Sequence, residues 1–259
     1  MRINHDNKSL NSSDGVEAPY LFIGIPTYDG KPTTNCFAAV TNLMLLLQSK
    51  GIKSKLMFAK YCGFIDRARN MLINEFLKTD CTHILMDDAD QGFDHEKILE
   101  MLYKDKMFIA AAVRQKQMEE TYAIKVNVDN EFSLKPVEKD GLISTHRIGL
   151  ALVIIKREVF DKIRTFHKLP YVNSTGTQFT DTHIVQEENG TWDWLGEDYD
   201  FCTKCTEAGV NIWIYHDIDV SHVGYHEFKG NFHEYLCKQP GGSENKPRST
   251  GLRIKQPTQ

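Results

Sequence analysis

Apolar positions in the first half of the chain alternate between short continuous runs and stretches with helical spacing. Tyr20 to Ile25 is an apolar run closed by Pro26 and a turn-rich TYDGKPTTN stretch, which predicts a buried strand followed by a loop. From Thr33 to Lys50 the apolar positions 36, 37, 40, 43, 44 and 47 recur at helical spacing and Gly51 follows as a stop, so a helix is expected. Lys55 to Ala59 predicts a second strand, Ile65 to Leu77 a second helix and Thr82 to Met86 a third strand. Asp94 is placed to cap a short helix reaching Tyr103, and Met107 to Val113 predicts a fourth strand. This βαβαβαβ series over residues 20–113 implies a parallel sheet.

The second half has a different texture. Tyr122 to Val128 and Phe132 to Val137 read as a hairpin, and Leu150 to Ile155 as a buried strand entering a helix over Arg157 to Arg164. Residues 166–195 mix Pro, Gly, Asn and Thr with aromatic residues; that is long for a plain connection and marks a candidate binding loop. Glu197 to Ala208 predicts a helix stopped by Gly209, and Asn211 to Tyr215 a last strand. With no internal repeat and no linker, one α/β domain over 19–237 is expected, between a polar tail (1–18) and a basic tail (238–259).

Composition narrows the class. The chain of 259 residues is 41% hydrophobic and 25% charged, as folded soluble proteins are. Its longest apolar runs, such as Phe108 to Val113 and Leu150 to Ile155, fall far short of the roughly 20 residues of a membrane helix. The opening MRINHDNKSLNSSDG lacks the apolar core of a secretory signal, so a cytoplasmic setting is expected. Cysteines at 36, 62, 81, 202, 205 and 237 are too scattered for a disulfide framework and read as reduced thiols. A net charge of −4 argues against a broad nucleic-acid-binding surface. The end of the chain differs: Lys238, Lys246, Arg248, Arg253 and Lys255 stand against Glu244, a +4 tail that would favour an anionic partner.

Three groups carry chemistry. Asp87, Asp88 and Asp90 crowd the carboxyl end of a buried strand, where ligands of open α/β sheets collect. Carboxylates this close repel one another unless a divalent cation offsets their charge, and hard oxygen ligands suit Mg or Mn. In TWDWLGEDYDFCTKCTEAG, Glu197 and Asp198 open a helix beside Trp192 and Trp194. An indole platform next to a carboxylate can hold a sugar and deprotonate its hydroxyl, which makes Asp198 a candidate base. Any of His216, His222, His226 and His233 could add a nitrogen ligand to the metal.

Rival patterns are weaker. Cys202, Cys205, His222 and His226 spell C-x2-C-x16-H-x3-H, with a middle gap longer than the about 12 residues of a zinc finger, and the two cysteines serve equally well as small core residues. Gly24 to Lys31 lacks the spacing of a phosphate-binding loop, and Pro32 stands where such a loop needs Ser or Thr. No G-x-S-x-G, G-x-G-x-x-G or H-E-x-x-H occurs.

With the acidic strand end, the Glu-Asp helix start and the late histidine in this order, the chain resembles a nucleotide-sugar glycosyltransferase of the GT-A fold over Tyr20 to Asn231. It is most similar to the compact single-domain transferases of bacteriophages, large viruses and bacteria. The resemblance implies a single GT-A, Rossmann-like domain, its mostly parallel central sheet flanked by helices, with a small antiparallel portion on the acceptor side. Residues 19–115 would form the nucleotide-binding half and 116–237 the acceptor-binding half. It further implies that IGIPTYDG packs on the donor base and ribose through Thr27, Tyr28 and Asp29, and that Arg69 of DRARN contacts the donor. MDDADQGF is similar to the DxD element, which places Asp88 and Asp90 at the metal with Asp90 the direct ligand; Asp87 touches the donor ribose or merely lengthens the acidic patch. Lys116 of VRQK matches the lysine of a Tyr-Pro-x-Lys donor element, from which Val113 and Arg114 depart. Gly149 of RIGLALVIIKREVF would leave room for the acceptor beside Trp192 and Trp194. GEDYDFC implies acceptor contact by Glu197 and base work by Asp198, and SHVGYHEFKG implies His222 as a metal ligand.

The activity so implied is transfer of a sugar from a nucleotide-diphosphate donor, a UDP-sugar first, to a hydroxyl of a glycan, a modified nucleic acid or a protein. Mn or Mg would hold the diphosphate while Asp198 takes the acceptor proton in an inverting displacement; a retaining enzyme would use Asp198 to orient the acceptor. Two other readings stay open at this point. One is a zinc-stabilised binding module built on Cys202, Cys205, His222 and His226; the other is a catalytically idle carbohydrate-binding domain using Trp192 and Trp194.

Overall fold

A computed structural model describes residues 18–126, 138–186 and 190–238. Tyr20–Thr27 (β1) is buried on both faces from Leu21 onward, as an interior strand between two layers of helices must be. The Thr33 hydroxyl accepts from the Cys36 N–H and starts α1 (Thr34–Ser49), which buries Cys36, Ala39, Val40, Leu43 and Leu47 along one stripe. Lys53–Lys60 (β2) ends the sheet among the described residues, and exposed Lys53, Lys55 and Lys60 protect that edge. Then come α2 (Ile65–Leu77), the fully buried β3 (His83–Asp87), and the short β4 (Gln91–Phe93). The Asp94 carboxylate accepts from the Glu96 N–H at 2.9 Å and caps α3 (His95–Tyr103), which leads to β5 (Phe108–Ala111). Each element expected from apolar spacing in residues 20–113 is present, and β4 is an addition.

The chain continues through β6 (Ile124–Val126), β7 (Glu138–Lys139), β8 (Leu142–Ile148), β9 (Leu152–Lys156) and α4 (Arg157–Phe166). Two small hairpins follow, β10 (Tyr171–Val172) with β11 (Gly176–Thr177) and β12 (His183–Gln186) with β13 (Trp192–Leu195). The last elements are α5 (Glu197–Glu207), β14 (Ile212–Tyr215), β15 (Asp219–Val223), β16 (Glu227–Asn231) and α6 (Phe232–Lys238). No helix among the described residues is long and apolar enough to cross a membrane.

Three expectations change. Of the hairpin read over 122–137, residues 127–137 lie outside the described residues, and Ile124–Val126 pairs with β8 instead. The hairpin that is described joins β7 to β8 through Asp140 and Gly141, whose φ angles of 56° and 73° suit an Asp-Gly turn. The stretch 166–195 holds four short strands rather than an irregular loop, and Asn211 to Tyr215 is followed by β15, β16 and α6 rather than being the last strand. The tails at 1–17 and 239–259 lie outside the described residues.

The central sheet runs β2-β1-β3-β9-β5-β14-β8-β6, with β7 beside β8. β1 is parallel to β2 and β3, and β14 is parallel to β5, whereas β9 and β8 run against their neighbours. The sheet is therefore mostly parallel in strand direction, as the sequence implied. However, β9 lies between β3 and β5, so strands from residues 116–237 are interleaved with those from 19–115. Period-two alternation sorts the core: Phe22, Ile84, Phe108 and Ile155 face α2, α4 and α5, while Leu21, Leu85, Ile109 and Ile154 face α1 and α3. A smaller sheet, β16-β15-β4, stands beside it.

Side-chain amides of α2 hold the 176–180 segment in place. Asn74 Oδ1 accepts from Thr177 N at 3.0 Å while its amide donates to Thr177 O at 2.8 Å. One helical turn earlier, Asn70 Oδ1 accepts from Phe179 N at 2.7 Å and Thr180 N at 3.1 Å, and its amide donates to Thr180 O at 2.8 Å. These pairs reproduce a strand ladder with side chains and satisfy backbone groups that would otherwise be buried unpaired. Gly176 is required there: its φ is +87°, and a Cβ would sit 2.4 Å from the Asn74 side chain.

Candidate active site at the carboxyl edge of the central sheet

Because β1, β3 and β5 point one way, their carboxyl ends open on one edge, and the loops that follow carry Tyr28, Asp88 to Asp90 and Arg114 to Lys116. The acidic turn is built by three backbone bonds. Asp88 N donates to Ala151 O at 2.9 Å, Gln91 N to Asp88 O at 3.1 Å, and Val223 N to Asp90 O at 2.7 Å. β4 then pairs with β15 so that His222 lies opposite Gln91. Two residues far apart in sequence meet as a result: His222 Nε2 is 3.4 Å from Asp90 Oδ1.

The tautomer of His222 follows from its other nitrogen. Nδ1 is 2.8 Å from Arg114 O, and a carbonyl can only accept, so Nδ1 carries the hydrogen. In the neutral ring the Nε2 lone pair then faces Asp90 Oδ1, a buried oxygen without a hydrogen-bond partner. Two lone pairs facing at this distance call for a cation or a proton between them. An imidazole fixed through Nδ1 to a carbonyl is also the usual support of a metal-ligating histidine. Asp90 Oδ2 accepts from the Lys116 ammonium. Burial acts to raise the Asp90 carboxyl, but His222 and Lys116 outweigh it and hold the group below its usual range.

Arg69 forms the second group. It is 4% exposed on α2, and its guanidinium donates to Asp88 at 3.0 and 3.3 Å and also to Glu197. One cation thus joins the strand end of β3 to the start of α5. Asp88, expected beside the metal, is turned to Arg69, and Arg69, expected to touch the donor, spends its guanidinium on these two carboxylates. Among the described residues, no three His, Cys, Asp or Glu side chains gather as a metal cluster; of the expected Asp88, Asp90 and His222 set, only Asp90 and His222 meet.

Asp198 follows Glu197 at the start of α5. Its Oδ1 accepts from Tyr199 N at 2.7 Å, and its Oδ2 would be 3.7 Å from a Cβ on Gly149, so that oxygen faces the space the glycine leaves. Burial raises the proton affinity of Asp198, with the Tyr199 N–H opposing, and burial likewise raises Glu197 against the pull of Arg69. A carboxylate with raised proton affinity and one free oxygen is equipped to accept a proton.

The remaining candidates fall in several places. Thr27 is buried, with its hydroxyl donating to Ala59 O at 3.4 Å; Asp29 accepts from Lys31 N at 3.0 Å and shapes the turn; Tyr28 is exposed. Trp192 and Trp194 are exposed on β13. Asp87, expected as a possible ribose contact, has no surface at all: Cys36 Sγ donates to its Oδ2 at 3.4 Å, and Oδ1 has no partner. The zinc set does not assemble. Cys202 and Cys205 lie on the inner stripe of α5 inside the core, where burial pushes the Cys202 thiol up to about 12, while His226 is exposed and His222 is directed at Asp90. Sequence reasoning missed Asn70, although it stands in the quoted DRARN, and Arg114, whose carbonyl orients His222 and whose guanidinium donates to Lys229 O at 2.8 Å.

Asp87 gives a prediction about stability. Burial, with Asp88 adding to it, holds its carboxyl well above the usual range, so the folded chain keeps a proton that the unfolded chain loses near about pH 3.9. Stability attributable to this group therefore falls as pH rises from there toward the folded value. Asp87→Asn is expected to raise the thermal midpoint at neutral pH by roughly 3 °C or more, with the gain vanishing at about pH 4. Scanning calorimetry across pH checks this; a difference that does not change with pH would overturn it.

No family model and no curated protein matches the chain. Among solved structures, a protein from STIV is similar at 12% identity and a TM-score of 0.48, over 79% of this chain and 86% of that one. A mutant beta-1,4-galactosyltransferase 7 of Drosophila, in complex with manganese, UDP-Gal and xylobiose, is similar at 12% identity and a TM-score of 0.43, over 86% of this chain and 76% of the other. A fragment of TarS from S. aureus in complex with UDP-GlcNAc is similar at 11% identity and a TM-score of 0.36, over 75% and 55%. The fold class itself follows from strand order and direction: a single Rossmann-like α/β domain with helices on both faces of its sheet.

Proposed function

We propose that the chain is a glycosyltransferase that moves a sugar from a nucleotide-diphosphate donor, a UDP-sugar first, to an acceptor hydroxyl by inversion. The observation that carries this reading is the meeting of Asp90 Oδ1 and His222 Nε2 at 3.4 Å, with Asp198 across the Arg69 bridge, all at the carboxyl edge of the sheet. The buried unpartnered oxygen and the oriented imidazole fit Mn or Mg, which takes few protein ligands and completes its shell with phosphate oxygens and water. When bound, the ion would stabilise the charge that builds on the departing diphosphate. Lys116 presents its ammonium beside Asp90, where it also faces a diphosphate. Tyr28 supplies an exposed ring at the end of β1 for the base. On the acceptor side, Asp198 takes the hydroxyl proton on Oδ2 in the space left by Gly149, while Arg69 holds Glu197 and Asp88 in register.

Calorimetric titration of UDP, GDP, CDP and dTDP, each with and without Mn, tests the reading. One nucleotide is expected to bind in a Mn-dependent way. Asp90→Ala and His222→Ala are each expected to reduce the Mn effect by roughly tenfold or more, within the range of losses for altered metal sites. If none of the four nucleotides shows any response to Mn, the proposal is wrong; a chain that ignores nucleotides but binds glycans would be a carbohydrate-binding domain.

A further inference from the structure

We infer that Lys116 is a charge gate at the Asp90–His222 position: its ammonium repels a free divalent ion and admits the ion only together with a diphosphate. The ligand recognised is then the metal–diphosphate complex rather than either part. This inference deepens the transferase reading above and rests on it. The acidic triplet has little charge left to offer an ion. Asp87 has no exposed surface and is bonded to Cys36. Asp88 is held by Arg69, which also holds Glu197. Asp90 gives its Oδ2 to the Lys116 ammonium. What the triplet and His222 turn toward an ion is therefore one carboxylate oxygen, Asp90 Oδ1, and one neutral ring nitrogen. Sites for divalent ions of this kind gain affinity with the number of charged oxygen ligands. Here a single carboxylate serves, and it shares its charge with an ammonium. Two cations on one carboxylate repel each other, and more strongly where water is partly excluded.

The surroundings of Lys116 hold its base and leave its tip free. The Arg114 guanidinium donates to Met118 O at 3.0 Å and to Lys229 O at 2.8 Å, and Gln115 N donates to Thr121 O at 2.9 Å, so the loop is closed on itself and tied to β16. The lysine stem passes over Gly224, where a Cβ would lie 3.2 Å from Lys116 Cδ, and the bare backbone lets it lie close. The side chain is 36% exposed, enough for its last bonds to rotate. A diphosphate reverses the balance of charge because it brings anionic oxygens for both cations. The ammonium exchanges Asp90 for phosphate, and Asp90 then serves the ion alone. By linkage, the nucleotide tightens the ion by the same factor as the ion tightens the nucleotide, and Lys116 enlarges that factor beyond what direct coordination gives. A lysine that only binds phosphate would affect the nucleotide and leave the free ion alone; a gate also weakens the free ion.

The test measures the ion and the nucleotide separately on the full chain. Binding of Mn without nucleotide is followed by electron paramagnetic resonance of the free hydrated ion, and binding of UDP by calorimetry with and without Mn; GDP, CDP or dTDP takes the place of UDP where one of these is the nucleotide that binds. Lys116→Met is expected to bind free Mn about fivefold tighter than the native chain or better, to bind UDP more weakly in the presence of Mn, and to lose a similar factor from the coupling between the two. Lys116→Arg keeps the charge and should bind free Mn as weakly as the native chain. Lys229→Met removes an exposed ammonium paired with Glu227, outside the site, and should change neither measurement. If Lys116→Met unfolds, seen as a collapsed thermal midpoint, Lys116→Gln takes its place. Free Mn binding in the neutral variants that is no tighter than in the native chain overturns the gate. That result beside intact Mn-dependent nucleotide binding rejects the gate alone. Tighter free Mn in the variants, beside a native chain in which no nucleotide responds to Mn, keeps the repulsion of the free ion and rejects the transferase reading.

Discussion

A chain carrying Asp198→Asn is expected to bind nucleotide and Mn as the native chain does, and to transfer sugar about 10²- to 10⁴-fold more slowly, the usual worth of a general base. The substitution keeps the shape of the side chain and leaves an oxygen to accept from Tyr199 N, so the start of α5 is undisturbed. What it removes is the oxygen facing Gly149 that would receive the proton. The pH profile gives a second readout. Burial lifts the Asp198 carboxyl above the ordinary aspartate range, and the ionised form is the base. The native rate should therefore rise with pH through a limb displaced upward from about 3.9, and that limb should be absent in the variant. Transfer at the native rate by Asp198→Asn would remove Asp198 from the chemistry.

The second large effect is on the Arg69 bridge. Arg69→Met is expected to cost about 3 kcal/mol of folding stability, because it leaves two partly buried carboxylates facing each other without a cation. The loss should shrink as pH falls, since protonating Glu197, whose carboxyl burial already lifts with Arg69 present, removes one of the two charges and with it the repulsion. Lysine does not substitute: a single ammonium cannot serve Asp88 through two bonds and Glu197 at the same time. Urea denaturation at two pH values measures both parts. A second substitution, Glu197→Gln, should recover some stability in the Arg69→Met background, and an unchanged urea midpoint in Arg69→Met would show that the bridge is not structural.

Much of the site was legible because local rules write it. The spacing of Cys36, Val40, Leu43 and Leu47 defines α1, Asp94 announces α3, and an acidic triplet after a fully apolar strand places Asp87 to Asp90 at a ligand-collecting edge. What spacing could not supply was pairing across long separations. That His222 meets Asp90 depends on β4 and β15 lying side by side, and β4 has only three residues, too few for any period. The depth of Asp87 and Arg69 was not legible for one reason: sequence shows a charge but not its burial, and both side chains are buried against partners from other elements. Cys202 and Cys205 read equally as ligands or core until the facing of α5 decides for the core. The β12–β13 hairpin lies inside the stretch 166–195 that reads as a candidate binding loop, because strands of four residues are too short for a period to stand out.

The place of β9 between β3 and β5 also bears on how the chain is made. β3 is finished by residue 87, yet one of its two neighbours is not synthesised until residues 152–156, and β5 then waits for β14 at 212–215. A nascent chain ending near residue 115 therefore exposes β3 and β5 with open, apolar edges that cannot close on each other in the native order. The central sheet is completed only when most of the chain has left the ribosome. Synthesis consequently passes through a long interval in which these strands are exposed to wrong pairing, and chaperone demand during expression should fall sharply once β9 and β14 have emerged.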